Sequence, residues 1–159
     1  MTPAIPWALR LARPSRPPVV VTVARGLGVR MGTFLDDELG QDPLIVRLGE
    51  REEGLSMLGG KGCSVDMKFY SLGKGKTDRH MEPFFVELMP VACGEKKLSS
   101  HEGEEFIVVH EGSIEVTYGR DVLTLGNGDS IYLNSIVPHH VTAGGNAPAS
   151  IYAVLYFPE

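Results

Sequence analysis

One stretch of the chain decides its fold, and it reads SSHEGEEFIVVHEG at residues 99–112. Polar residues at its start give way to an apolar run that ends at a turn. Alternate residues of a β-strand face the same side of a sheet. If Glu105 in the strand predicted here faces inward, Ile107 and Val109 face inward too, and His110 faces outward. A carboxylate on the inner face of an otherwise apolar strand is a candidate for chemistry.

A second stretch, GDSIYLNSIVPH at residues 128–139, ends in another histidine. His101, Glu105 and His139 together offer two imidazoles and one carboxylate, a donor set that suits Fe(II), Mn(II), Ni(II) or Zn(II). We therefore predict a divalent-metal site at these three residues. The alternative is a buried polar trio that hydrogen-bonds to itself and to water, or to an organic acid ligand.

Short apolar segments recur along the second half of the chain, separated by turns rich in Gly, Asn and Asp. Strands spaced roughly 8–12 residues apart are typical of an all-β barrel or sandwich. The predicted strands are Val65–Ser71, Phe84–Pro90, Phe106–His110, Ser113–Tyr118, Val122–Leu125, Ser130–Leu133, His139–Thr142 and Ile151–Phe157. One further strand is predicted earlier, at Pro43–Leu48. The 19 Gly and 11 Pro fit such a turn-rich fold.

The two quoted stretches resemble the paired signature motifs of the cupin superfamily, G-x5-H-x-H-x3-E-x6-G and G-x5-P-x-G-x2-H-x3-N. The residues that match these motifs are His101, Glu105, Gly112, Gly128 and His139. The resemblance implies a single cupin barrel (a double-stranded β-helix, or jelly roll) over residues 64–158. It also implies that the two histidines and the glutamate are ligands of a metal.

The chain departs from the cupin pattern at several positions. Ser99 stands where the first motif has its first His, and a Ser hydroxyl is a poor ligand for a divalent metal. In the second motif, Asn134, Ile136 and Ala143 replace the Pro, the Gly and the final Asn. Two outcomes are open: the barrel binds metal through three ligands, or it is a metal-free pocket for a small molecule. In both, Ser99 is predicted to be an additional pocket residue.

The N-terminal part of the chain differs in charge from the rest. Residues 1–35 contain five Arg and no acidic residue, although the whole chain has a net charge of -5. Such a basic arm is compatible with a nucleic-acid partner, but it is equally compatible with a leader that has no function. Apolar residues at helical spacing predict short helices at 20–27 and 33–39. The predicted organisation is a basic segment at 1–45, a linker at 46–63 and the barrel at 64–158.

The stretch VARGLGVRMGTFLDD at residues 23–37 resembles the last two helices of a Cro/repressor-type (XRE-like) helix-turn-helix domain. Many regulators of that type carry a C-terminal cupin sensor domain. The helix that reads the major groove has no counterpart in the sequence. The resemblance therefore implies a DNA partner for the full-length family and weak or absent DNA binding for this chain.

These resemblances imply two functions. The first is a ligand-sensing cupin domain of a transcriptional regulator, which binds a small molecule and, with the three ligands, a divalent metal. The second is a mononuclear non-haem Fe(II) enzyme, similar to the oxygenases and epoxidases of the superfamily. Since no further acid-base or substrate-clamping residue stands out in the sequence, the sensor is the preferred interpretation.

Several residues receive no chemical role. His80, His110 and His140 are predicted to be surface or interface imidazoles. The phrase His80-Met81-Glu82-Pro83 is predicted to be a turn that leads into a strand, with Met81 as a packing residue.

Other features bear on location and assembly. Cys63 and Cys93 stand far apart without a metal-binding or disulfide pattern, which predicts reduced thiols in the cytoplasm. No apolar run reaches the roughly 18 residues of a membrane span. The run at Phe106–Val109 is apolar on both faces, so its outer face needs a cover. The cover is a second barrel or the N-terminal helices, and because cupins often pair through such outer faces, the resemblance implies a homodimer.

Overall fold

The computed structural model of the protein describes residues 43–58, 65–76, 79–90 and 98–158. A short 3₁₀ helix at Leu48–Glu50 precedes nine strands. The strands are β1 Glu53–Leu58, β2 Val65–Ser71, β3 Met81–Leu88, β4 Glu104–Glu111, β5 Ser113–Tyr118, β6 Asp121–Gly126, β7 Ser130–Asn134, β8 His139–Ala143 and β9 Ala149–Tyr156. The predicted all-β architecture is confirmed.

The strands form two antiparallel sheets. The larger sheet has the order β1-β2-β3-β9-β4-β7, and the smaller has the order β6-β5-β8. Their inner faces share one hydrophobic core, which includes Val86 and Ile107 from the larger sheet and Ile114 and Val116 from the smaller. These four side chains are at most 2% exposed. Two curved antiparallel sheets closed over one core make a jelly-roll barrel.

Alternation along β3, β4 and β5 separates the core from the outer surface. In β3 the buried apolar residues are Phe84, Val86 and Leu88, and Glu82 is buried on the same face, while the residues between them are partly exposed. Each fully buried side chain of this kind contributes roughly 1.5–3 kcal/mol through removal of apolar surface from water. A slip by one residue would turn the apolar set outward, so burial fixes the register.

Eight predicted strands are confirmed, with ends that shift by up to three residues. The strand predicted at Pro43–Leu48 is wrong, because that segment is irregular and ends in the 3₁₀ helix. Ile45 and Leu48 are 64% and 77% exposed, while Leu44 and Val46 are half-buried. The strand β1 instead lies inside the predicted linker at 46–63, where it pairs with β2. The alternation of apolar and polar residues in β1 is short and follows a run of charged residues, so this strand was not predicted from the sequence.

Some predictions concern parts of the chain outside the described residues. These are the helices at 20–27 and 33–39, the basic segment before residue 43, and the two cysteines. Within the described ranges, no helix has the length and apolar character that crossing a membrane requires.

Candidate metal centre

The three predicted ligands meet at one end of the barrel. His101 lies just before β4, Glu105 is the second residue of β4, and His139 is the first residue of β8. The Nε2 atom of His101 is 2.8 Å from Oε1 of Glu105, and Nε2 of His139 is 3.2 Å from the same oxygen. One donor atom from each residue lies within 4.8 Å of the other two. The geometry therefore allows the three residues to share one small ion.

Each imidazole is oriented by a backbone carbonyl on its far side. Nδ1 of His101 lies 3.0 Å from the carbonyl oxygen of Glu102, and Nδ1 of His139 lies 2.8 Å from that of Val137. A carbonyl oxygen only accepts hydrogen bonds, so both rings carry their proton on Nδ1. In a neutral ring, Nε2 then holds the lone pair and faces Glu105. Metal-binding histidines are oriented in this way by hydrogen bonds from their other nitrogen.

The positions of the protons on the two imidazole rings indicate how well the residues fit a cation. Without a cation, Nε2 of His101 and of His139 must each carry a proton to donate to Glu105. Both rings would then be imidazolium ions, and a single carboxylate would face two positive charges in a largely buried site. A divalent cation replaces both Nε2 protons and leaves the Nδ1 bonds intact. The donor set therefore fits a divalent metal.

The pKa values of the site reflect the same contacts. Burial by itself raises the pKa of Glu105, but hydrogen bonds from His101 and His139 outweigh burial and lower it to about 2. Burial by itself lowers the pKa of His139, but the hydrogen bond to Glu105 and the Val137 carbonyl outweigh it, and the pKa is raised. The carboxylate is thus ionised at any physiological pH, as a metal ligand must be.

Ser135 supports the site, and sequence reasoning missed it. Its side chain is fully buried, and its hydroxyl donates to Oε1 of Glu105 at 3.3 Å. Its backbone accepts a hydrogen bond from the amide of His101 and donates one to the carbonyl of Gly103. Ser135 therefore ties the first motif to the second. It follows a strand of the second motif, and nothing in its identity marks it as a partner of Glu105.

Ser99 lies beside the candidate metal centre. Its backbone exchanges two hydrogen bonds with His139, at 2.8 and 2.9 Å. Its hydroxyl donates to the carbonyl of His139 at 3.2 Å and lies 3.5 Å from Nε2 of that residue. The predicted pocket residue thus contacts the site, where it holds the start of β8 in place.

Gly103 shapes the turn between His101 and Glu105. Its φ angle is +103°, a conformation that is strained for residues with a Cβ. A Cβ at this position would also collide with the carbonyl oxygen of Tyr156. The turn brings the His101 ring over the start of β4, where it packs at 5.6 Å from the ring of Phe157 and 5.5 Å from that of His139.

The inward set on β4 is confirmed: Glu105, Ile107 and Val109 are buried. The other three histidines lie outside the candidate metal centre. His80 and His110 are exposed, and His140 is half-buried on β8. The ring of His110 packs against Phe85 and Tyr152 on the outer face of the larger sheet. Met81, predicted to be a packing residue, is 59% exposed, because it is an outward residue at the start of β3.

An antiparallel jelly roll that brings two histidines and one glutamate together at one end defines a class of small β-barrels. Residues 84–155 match the family model described as a cupin domain. This part of the barrel is therefore a cupin domain, as the two sequence motifs predicted. No curated protein sequence matches this chain closely enough to count as a relative.

Solved structures show the same fold. The iron(II) form of HppE is 25% identical, with a TM-score of 0.60 over 86% of this chain and 74% of that chain. Hydroxypropylphosphonic acid epoxidase from S. wedmorenis is 25% identical, with a TM-score of 0.58 over 86% of this chain and 73% of that one. An HTH_3 family transcriptional regulator from Vibrio cholerae is 20% identical, with a TM-score of 0.58 over 91% of this chain and 75% of that chain.

Proposed function

We propose that the barrel binds one divalent metal ion through His101, Glu105 and His139 and presents it to a small molecule. In this proposal the barrel is the ligand-sensing domain of a helix-turn-helix regulator. The observation that carries the metal site is the pair of carbonyl contacts at Nδ1, which direct both Nε2 lone pairs to one carboxylate oxygen. Fe(II), Mn(II), Ni(II) and Zn(II) all suit this donor set.

The arrangement leaves room for a ligand on the metal. Three protein donors do not complete the coordination of these metals, and Ser99 is already engaged with the backbone of His139. The His101 side chain is 14% exposed, against 4% for His139, so solvent reaches the site from the His101 side. A small molecule would enter there, at the open end of the barrel.

A sensing role needs binding rather than chemistry. Within the described residues, the side chains that hydrogen-bond to the triad or pack on it include the hydroxyls of Ser99 and Ser135 and the ring of Phe157. None of these groups transfers protons readily at neutral pH. A bound molecule then acts by favouring one of two conformations of the regulator through its differential affinity for them.

The metal site is tested by loading the metal-free chain with Co(II) and measuring bound metal by elemental analysis and visible absorption. We expect one Co(II) per chain and a loss of at least about a hundredfold in affinity for His139→Ala. The matched control is His110→Ala, which removes an imidazole on the outer face and should retain full binding. Equal cobalt content in all three proteins would refute the metal assignment.

The second candidate function is a mononuclear Fe(II) enzyme. It is favoured by the likeness to iron(II) HppE and to an epoxidase, both at 25% identity, and by a donor set of the type that non-haem iron oxygenases use. Iron(II) held there would supply one-electron and O₂ chemistry. O₂ uptake by the Fe(II)-loaded chain with a panel of small organic acids separates the two functions. Sustained uptake beyond one equivalent supports the enzyme, and its absence together with tight ligand binding supports the sensor.

We also propose that the barrel forms a homodimer through the outer face of the larger sheet. Phe106 and Tyr132 are paired across β4 and β7, with ring centroids 6.3 Å apart and exposures of 41% and 65%. Light scattering after size exclusion should show a dimer that Phe106→Glu dissociates. The control Val122→Glu changes a residue on the smaller sheet that is 57% exposed. A dimer that survives Phe106→Glu would place the interface elsewhere.

A further inference from the structure

A second charged group lies at the same end of the barrel as the metal centre. Nε of Arg79 is 2.8 Å from Oε2 of Glu82, and the two side chains are only 7% and 5% exposed. Nη1 of Arg79 also donates to the carbonyl of Lys76 at 2.6 Å. The stem of Arg79 packs so closely on Gly73 that a Cβ there would lie 2.9 Å from its Cδ atom. The guanidinium is therefore held in one orientation.

The sheet register relates this pair to the candidate metal centre. Glu82 on β3 is paired with Leu155 on β9, and Leu155 is paired with Glu105 on β4. Directly paired residues of neighbouring strands have their side chains on the same face, and both glutamates are buried. The two carboxylates therefore lie on one inner row, two strand spacings or about 10 Å apart. Only one apolar side chain separates them on that row.

A buried ion pair at this position is costly for stability. Removal of two charges from water can outweigh their attraction, and apolar side chains of similar size often replace such pairs without loss of stability. The next inward residues of β3 are the apolar Phe84, Val86 and Leu88. An apolar residue at position 82 would fit that series, so the pair calls for a role beyond packing.

Charge indicates which ligand would use the pair. Two neutral imidazoles and one carboxylate around a divalent cation leave a net charge of +1. The pair Arg79–Glu82 adds no net charge, but it places a guanidinium beside Glu82, which shares an inner row with Glu105. A guanidinium carries five N–H donors, more than the two that Glu82 and the Lys76 carbonyl accept from Arg79, and such donors suit the oxygens of a carboxylate. This end of the barrel is thus suited to a molecule with an oxyanion at each end.

We propose that Arg79, oriented by Glu82, is a specificity-determining residue that selects a small dianionic ligand of the dicarboxylate type. One carboxylate of the ligand binds at the metal held by His101, Glu105 and His139, and the other contacts the guanidinium. The inference rests on the proposed metal function, because the metal supplies the first of these two contacts. Residue 79 lies outside both sequence motifs, so the motifs give no indication of this role.

The test uses the full chain loaded with Co(II), with succinate and glutarate as probes and butyrate as the monocarboxylate control. Calorimetry and the visible absorption of cobalt report binding. We expect the better dicarboxylate to bind at least tenfold more tightly than butyrate. Because hydrogen bonds to charged groups contribute about 1.5–3 kcal/mol, the double variant Arg79→Met/Glu82→Met should reduce that preference by about tenfold to a hundredfold.

Two further variants keep the test decisive. Arg79→Lys retains the charge but loses the planar fork, and it should reduce the preference partially even if the double variant fails to fold. The control Lys68→Gln/Glu53→Gln removes an exposed ion pair on β1 and β2 and should leave the preference unchanged. Failure of the wild-type chain to bind Co(II) would refute the metal function itself. Two results would overturn this inference and leave the metal function intact. One is cobalt binding without a preference for dicarboxylates, and the other is a preference that is unchanged in both variants of residue 79.

Discussion

The hydroxyl of Ser135 lies 3.3 Å from Oε1 of Glu105, across 30 residues of sequence. The same oxygen faces Nε2 of His101 and of His139. One carboxylate oxygen is therefore the point at which both sequence motifs converge. Ser135 donates a hydrogen bond to that oxygen, as partners of metal ligands commonly do.

The first prediction concerns this hydroxyl. Ser135→Ala should lower the affinity for Co(II) or Zn(II) by about tenfold to a hundredfold, because a Glu ligand without its hydrogen-bond partner is less well oriented. Stability of the metal-free chain should fall by about 1 kcal/mol through loss of one buried hydrogen bond. Competition with a chromophoric chelator measures the affinity. The control is Ser100→Ala, which removes an exposed hydroxyl bonded to the carbonyl of Ile136; an equal effect of both changes would contradict the role of Ser135.

The second prediction concerns the turn at Gly103. Gly103→Ala combines a positive φ angle with a collision against the carbonyl of Tyr156. Gly128→Ala is the matched control, because Gly128 also has a positive φ, of 85°, but no atom within 4 Å of the added Cβ. Urea unfolding should show a loss of about 1–2 kcal/mol for Gly128→Ala and a clearly larger loss for Gly103→Ala. Only Gly103→Ala should also impair metal binding, and equal losses would show that the collision is relieved.

Sequence predicted most of the fold, and the reason is visible in particular residues. The period-two burial of Phe84, Val86 and Leu88 and the turn residues between strands are local signals, and the strands they predicted are present. The triad was also predictable, because its residues recur at a family spacing. The residues around the triad were not predictable from the sequence. The contacts of Ser135 and the location of the pair Arg79–Glu82 depend on sheet register. Register depends on the whole sheet and is not encoded in any short window.

The third prediction concerns the pH dependence of stability of the metal-free chain. The pKa of Glu105 is lowered from its usual 4.5 to about 2 by its hydrogen bonds to the histidines, despite burial. Its stabilising contribution is therefore complete above pH 4.5 and is lost as the pH falls towards 2. A shift of this size corresponds to about 3 kcal/mol. The pKa of His139 is raised above its usual 6.5, so its contribution is complete below pH 6.5 and is lost as the pH rises through the raised value.

Unfolding by urea in the presence of EDTA, measured from pH 2 to 9, tests both the loss of stability at low pH (the acid limb) and the loss at high pH (the alkaline limb). Metal-free chain should be most stable between about pH 4.5 and 6.5. Glu105→Gln should flatten the acid limb, because its amide does not titrate, and His139→Gln should flatten the alkaline limb. An acid limb that is as steep in Glu105→Gln as in the wild-type chain would assign acid sensitivity to other carboxylates.

The final prediction concerns DNA. We expect this chain to bind duplex DNA weakly and without sequence preference, since the resemblance to a helix-turn-helix domain at residues 23–37 lacks a groove-reading helix. The remaining attraction comes from the five Arg of residues 1–35. Contacts from Arg to phosphates carry no direct sequence information, and binding driven by counterion release weakens steeply with salt.

Fluorescence anisotropy with promoter and scrambled duplexes, at low and physiological salt, measures both the affinity and the sequence preference. The same titration with Arg10, Arg13 and Arg16 replaced by Gln should remove most of the low-salt binding. Tight, sequence-selective binding that persists at physiological salt would contradict the prediction and would show that the N-terminal segment reads DNA.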